Sequence, residues 1–175
     1  KHALPKEQVP DADILLQKYD EAKGANSSIS LAVTKKAILN VGDKFPAFTA
    51  TDIEGKQWTE ADIDGKVMVL NLWFSGCGPC RAEMPELSIW KNEMPDVMFF
   101  SATYESAEVD RPIIEKQGFN WTHLVENTQF KEYVGGNGYP MTIIVDKAGV
   151  VSMIEHGTSP TQRAELKKKI EELRK

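Results

Sequence analysis

A chain of 175 residues, 41% hydrophobic and 27% charged, suits one globular domain with a short extension. Its net charge of -5 argues against nucleic acid or an anionic membrane surface as a partner. No apolar run approaches the roughly 20 residues of a membrane span, so the segment is expected to be soluble. The chain starts at Lys1 rather than Met, so it is expected to be processed or trimmed, with any signal peptide or lipid anchor lost.

Residues 1–9 are polar and are expected to fray. A helix is expected over 12–23, capped by Asp11, stopped at Gly24, with Ile14, Leu15, Tyr19 and Ala22 on one face. Residues 25–40 leave strand and helix both open: "SISLAV" alternates, whereas "AVTKKAIL" suits a helix. Residues 1–40 therefore read as an N-terminal extension and 41–175 as the folded domain.

From Val41 the pattern sharpens. A short strand, a turn at 52–55 and a second strand near Gln57-Trp58 form a hairpin, with Glu54-Gly55 at its tip. A helical turn follows near 60–63. "VMVLNLWF" (67–74) is nearly all apolar, as a strand buried on both faces must be. A helix is expected over 79–94, kinked at Pro85. "VMFFSATY" (97–104) reads as another buried strand, and 107–117 as a helix stopped by Gly118. "THLVE" (122–126) is extended, and 128–134 is a short helix ended by Gly135-Gly136-Asn137-Gly138. "MTIIVD" (141–146) and "VVSMIEH" (150–156) flank Lys147-Ala148-Gly149, a second hairpin signal. Residues 161–175 form a charged helix with Leu166, Ile170 and Leu173 on its apolar face. Alternating strands and helices predict an α/β fold: a central mixed sheet with helices on both faces and an antiparallel closing hairpin.

Smaller features fit this frame. Phe99, Phe100, Phe119, Trp121 and Phe130 are expected in the core. The scattered methionines are expected to fill gaps, with Met141 suiting either core or a substrate surface. Arg111-Pro112 and Lys167-Lys168-Lys169 read as solvated surface.

The only two cysteines, Cys77 and Cys80, stand where the buried strand gives way to a helix. A disulfide between them closes too small a loop to constrain the unfolded chain much, so reactivity explains the pair better than stability. Zinc would need four ligands, and His2, His123 and His156 form no metal-binding spacing. A helix N-terminus offers unpaired N–H groups and partial positive charge, which favour thiolate over thiol. Cys77 is placed to attack a disulfide and Cys80, one turn on, to resolve the mixed disulfide. Gly78 keeps the turn unhindered, and Pro79 suits the first helical turn, where its missing N–H costs nothing. Far downstream, Tyr139-Pro140 follows a glycine-rich loop and precedes a strand, leaving a trans or a cis bond open.

With these pieces placed, the chain resembles the thioredoxin superfamily, and within it the TlpA/ResA-like extracytoplasmic thiol:disulfide oxidoreductases. The resemblance rests on "VGDKFPAFTATDIEGKQWTEADIDGKVMVLNLWFSGCGPCRAEMPEL" (41–87), "GYPMTIIVDKAGVV" (138–151) and the last helix. It implies a thioredoxin-like fold, Cys77 as nucleophile, Cys80 as resolving thiol and Pro140 as a cis proline. It further implies no metal or organic cofactor beyond the Cys77–Cys80 couple, a protein disulfide as substrate, and a membrane or periplasmic thiol electron donor. The location it implies is the periplasm or its equivalent.

The departures are informative. Thioredoxin has a buried acid six residues before its first cysteine; here that position is Asn71, which cannot titrate. Glu83 and Glu126 are the candidate proton acceptors for Cys80, although each is expected at the solvated surface. Thioredoxin has a tryptophan directly before the first cysteine; Gly76 here leaves the nucleophile more open. Trp73 is expected to fill core, with shielding of the site as its other possible role. Gly78-Pro79 is the thioredoxin dipeptide and favours a reductant or exchanger over an oxidant. Two other readings stay open. "FTATDIEGK" is shared with peroxiredoxins and allows a thiol peroxidase, but the residues before Cys77 do not form the P-x-x-x-T/S-x-x-C motif. A Sco-like copper module would need C-x-x-x-C spacing and a histidine such as His123 or His156.

Overall fold

The computed structural model describes residues 38–175, and the chain divides into Lys1–Ala37 and Ile38–Lys175. The helix expected over 12–23 and the open stretch 25–37 lie outside the described residues. Strand β1 (Thr49–Asp52) returns as β2 (Gln57–Thr59), antiparallel to it. Asp52 builds the turn: one carboxylate oxygen accepts the Glu54 and Lys56 N–H groups, the other the Trp58 indole N–H at 2.8 Å. Gly55 supplies the positive φ of +86° that the turn needs. A 3₁₀ turn at Glu60–Ile63 leads into β3 (Met68–Leu72). Then come α1 (Gly78–Glu93), β4 (Met98–Ala102), α2 (Ala107–Gln117), β5 (Thr122–Val125) and α3 (Thr128–Val134). The antiparallel pair β6 (Met141–Val145) and β7 (Val151–His156) and the helix α4 (Pro160–Leu173) complete the domain.

The seven strands form one mixed sheet in the order β2-β1-β5-β4-β3-β6-β7. β3, β4 and β5 are parallel; β6 joins β3, and β1 joins β5, antiparallel. Period-two alternation sends the side chains of β3 to opposite faces. Met68, Leu70 and Leu72 meet Phe45, Phe48, Phe130 and Val134 on the α3 side. Val69 and Trp73 meet Met84, Leu87, Trp90, Leu166 and Ile170 of α1 and α4. Both faces of β3 are thus covered, which is why its sequence is an apolar run. All five aromatics expected in the core are buried, and so is Met141. Pro85 lies inside α1, where its missing N–H leaves the Arg81 carbonyl without a helical donor.

Candidate active site

The site stands at the C-terminal end of β3. The Trp73 N–H still bonds to the Ala102 carbonyl at 3.1 Å, and then the chain leaves the sheet. A tight turn over Phe74–Cys77 closes with the Cys77 N–H on the Phe74 carbonyl at 3.1 Å. Its third residue is Gly76, where a Cβ would lie 2.8 Å from the Phe74 ring. The turn delivers Cys77 as the N-cap of α1, its sulfur accepting the Cys80 N–H at 3.2 Å. Pro79 occupies the first turn of α1, where no N–H is missed. Cys77 and Cys80 are joined as a disulfide. Cys77 is 5% exposed and Cys80 1%, so an incoming group reaches Cys77 first.

The β3–β6 register pairs Leu72 with Met141 and so places Pro140 beside the strand end from which the cysteine turn departs. The Tyr139–Pro140 bond is cis. Tyr139 stands edge-on to Phe74 at 5.1 Å and near Tyr104 at 6.5 Å, forming a half-buried aromatic rim. Burial, helped by the nearby Tyr104 and Glu105, pushes the Tyr139 hydroxyl above its ordinary pKa. Trp73 is fully buried in the cluster that also holds both cysteines, and its indole N–H has no hydrogen-bond partner among the described residues. Its place is core directly beneath the site.

Glu83 corrects an expectation. It is not at the surface but buried, 4% exposed. Cys80, Met84, Leu87 and Trp90 define the inner stripe of α1, and Glu83 lies on it, three residues after Cys80 and four before Leu87. Asn71, on the same face of β3 as Val69 and Trp73, donates its amide to Glu83 Oε1 at 2.9 Å and to Thr142 Oγ1 at 3.2 Å. Burial raises the Glu83 pKa; hydrogen bonds from Thr158 and Asn71 and the Arg163 charge partly oppose this. The acid missing at position 71 is thus replaced by one reaching in from the helix. Glu126 is exposed at φ 50° and does not join this cluster.

Glu105, Thr103 and Asp110 have no counterpart in the sequence expectations, and His123 enters them only as a possible metal ligand. Glu105, just after β4, grips the cysteine turn: Oε2 accepts the Ser75 N–H at 2.6 Å and Oε1 the Ser75 hydroxyl at 2.7 Å. Thr103 supports Glu105 and donates its hydroxyl to Asp110, which is fully buried in α2. Burial pushes the Asp110 carboxyl up to about 6, against the Thr103 hydrogen bond. His123 is buried on β5, its Nε2–H donating to the Phe119 carbonyl at 2.7 Å and its Nδ1 accepting from Ser101. Burial lowers its pKa to about 4.

A disulfide capping a helix beside a cis-proline loop, at the end of a central parallel strand, defines a thioredoxin-fold thiol–disulfide site. The AhpC/TSA family model matches residues 41–154, and the chain belongs to that family. It is 28% identical over 130 residues to the thiol-disulfide oxidoreductase ResA of Geobacillus thermodenitrificans, covering 71% of this chain and 74% of that one. It is 26% identical over 138 residues to the thioredoxin-like protein YneN of Bacillus subtilis, covering 76% and 81%. A secreted disulfide oxidoreductase of Mycobacterium tuberculosis superposes with a TM-score of 0.61 at 25% identity, over 72% of this chain and 96% of that one. The likeness to ResA expected from residues 41–175 is thus found.

Proposed function

We propose that this chain is a thiol–disulfide oxidoreductase that reduces or exchanges disulfides of proteins outside the cytoplasm. The observation that carries it is the Cys77–Cys80 disulfide at the N-terminus of α1, beside the Pro140 loop. In the reduced enzyme the Cys77 thiolate attacks a substrate disulfide; one S–S bond breaks and another forms, leaving a substrate thiolate that takes a proton. Cys80 then gives up its proton and attacks the Cys77 sulfur. The Cys77–Cys80 disulfide forms, the second substrate thiol leaves, and the substrate has gained two electrons and two protons. Glu83, buried and one turn from Cys80, is the group suited to take the Cys80 proton. Cys77 is the nucleophile, Cys80 the resolving thiol, and Gly76, Gly78, Pro79, Tyr139 and Pro140 shape the substrate surface over the Trp73 core. The exchange needs only sulfur, so no metal or organic cofactor is invoked.

A thiol donor in the periplasm or membrane would return the enzyme to the dithiol state. The secreted relative and the ResA likeness support the extracytoplasmic setting. Trapping tests the reading: Cys80→Ser should hold a protein substrate on Cys77 as a mixed disulfide that dithiothreitol releases, and Cys77→Ser should hold none. Peroxide-driven oxidation of the dithiol faster than exchange with protein disulfides would favour the peroxidase instead. A Sco-like copper site is disfavoured by the C-x-x-C spacing of Cys77 and Cys80, and both nitrogens of His123 are already engaged, which leaves His156 as the histidine to test.

A further inference from the structure

Glu105 is separated by 30 residues from the turn it grips, and nothing in the exchange chemistry just described uses it. Its carboxylate accepts from the Ser75 N–H at 2.6 Å and the Ser75 hydroxyl at 2.7 Å, one oxygen to each donor. Two acceptor oxygens on one residue's N–H and O–H is the arrangement of an ionised carboxylate, and such bonds are the strong ones. Ser75 is the second residue of the Phe74–Cys77 turn, whose closing hydrogen bond is made by the Cys77 N–H itself. Holding Ser75 therefore holds the direction in which the chain enters α1, and with it the placement of the Cys77 sulfur over the helix N-terminus.

The support behind Glu105 is equally complete. Its N–H donates to Thr103 Oγ1 at 3.2 Å and its carbonyl accepts the Glu126 N–H at 2.8 Å. Thr103 is in turn tied to β5 through its own N–H on the Leu124 carbonyl at 3.0 Å, and its hydroxyl is anchored on buried Asp110. The loop after β4 is thus a fixed platform that reaches across to the loop after β3. The parallel β3–β4 pairing, Leu72 opposite Ala102, brings the two loops to the same end of the sheet.

We propose that Glu105 is a positioning residue for the nucleophile: it fixes the cysteine turn through Ser75 so that α1 stabilises the Cys77 thiolate. This deepens the oxidoreductase reading and rests on it. A clamp and a mere negative charge act in opposite directions. Without the clamp, the sulfur leaves its place over the helix N-terminus and the thiolate becomes harder to form. Without a nearby negative charge, the thiolate becomes easier to form.

The test is the pH profile of Cys77 alkylation by iodoacetamide in the reduced 175-residue chain. Glu105→Gln keeps the size but leaves only one acceptor for two donors. The expected result is alkylation slower by roughly threefold to tenfold at pH 7, with the profile displaced to higher pH, as loss of a charge-assisted hydrogen bond allows. Ser75→Ala should move the profile the same way by less, and the double variant should move it no further than Glu105→Gln alone. A profile that coincides with that of the native chain, one displaced to lower pH, or additive effects in the double variant would each overturn the proposal. If Glu105→Gln does not fold, Ser75→Ala decides alone: an unmoved profile overturns it. A native chain with no reversible dithiol–disulfide transition in graded thiol buffers would defeat the oxidoreductase reading instead, a result the alkylation profile does not depend on.

Discussion

Replacing Glu83 by Gln removes the buried acid while keeping its size and an oxygen for the Asn71 amide, 2.9 Å away. In the native chain Cys80 has a proton acceptor one turn along the helix. In the variant it must ionise on its own. A thiol with an ordinary pKa of about 8.5 is only about 3% thiolate at pH 7. Cys80 is 1% exposed, and burial lowers that fraction further. Resolution of the mixed disulfide should therefore slow by at least roughly 30-fold at pH 7, or about 2 kcal/mol of barrier. The loss should shrink about tenfold for each pH unit gained, as more of the thiol ionises unaided. A stopped-flow assay of mixed-disulfide resolution, using a peptide disulfide and the tryptophan signal of the buried Trp73 region, reads this directly. A Glu83→Gln variant that resolves within twofold of the native rate from pH 5 to 8.5 would refute the role given to Glu83.

The two other buried titrating groups make opposite contributions to stability. His123, depressed from 6.5 to about 4, is neutral in the fold; its contribution of up to about 3 kcal/mol is complete above pH 6.5 and is lost as pH falls toward 4. An NMR titration should show its ring unprotonated at pH 5, and a midpoint near 6.5 would contradict this. Asp110, raised from 3.8 to about 6, favours the protonated form; its contribution is complete below about 3.8 and is lost as pH rises toward 6. The two changes oppose each other between pH 4 and 6, with Glu83, also raised by burial, acting in the same direction as Asp110. Asp110→Asn should unmask the His123 loss, with stability falling toward acid, and parallel curves for native and variant chains would refute the assignment.

Much of the scaffold was legible because each signal is local. The apolar run 67–74 reports a strand covered on both faces, and Gly118 at φ +59° stops its helix as sequence chemistry requires. The cysteine spacing and the strand-to-helix junction located the site. Glu83 was misplaced because a charged residue among Arg81, Glu86 and Lys91 looks solvated by composition. Its phase told otherwise: Cys80, Glu83, Met84 and Leu87 fall on one stripe, and a helical wheel drawn from Cys80 would have put it inside. Glu105 and Ser75 left no such trace. Their contact depends on β3 and β4 being parallel neighbours, a property of strand order that spacing along the chain does not encode. The burial of Asp110 and His123 is tertiary in the same sense, since Thr103 and Ser101 come from β4 and the loop after it.

The most direct test of the central claim is the reduction potential of the Cys77–Cys80 couple. The chain would be equilibrated in graded dithiol/disulfide buffers, quenched with an alkylating agent and weighed to count free thiols. The account predicts one two-electron transition near the potential of thioredoxin, about -270 mV, lost when either cysteine is replaced by serine. A potential near that of the oxidant DsbA, about -120 mV, would contradict the reductase direction. A pair that never forms the disulfide at any poise would contradict the function itself.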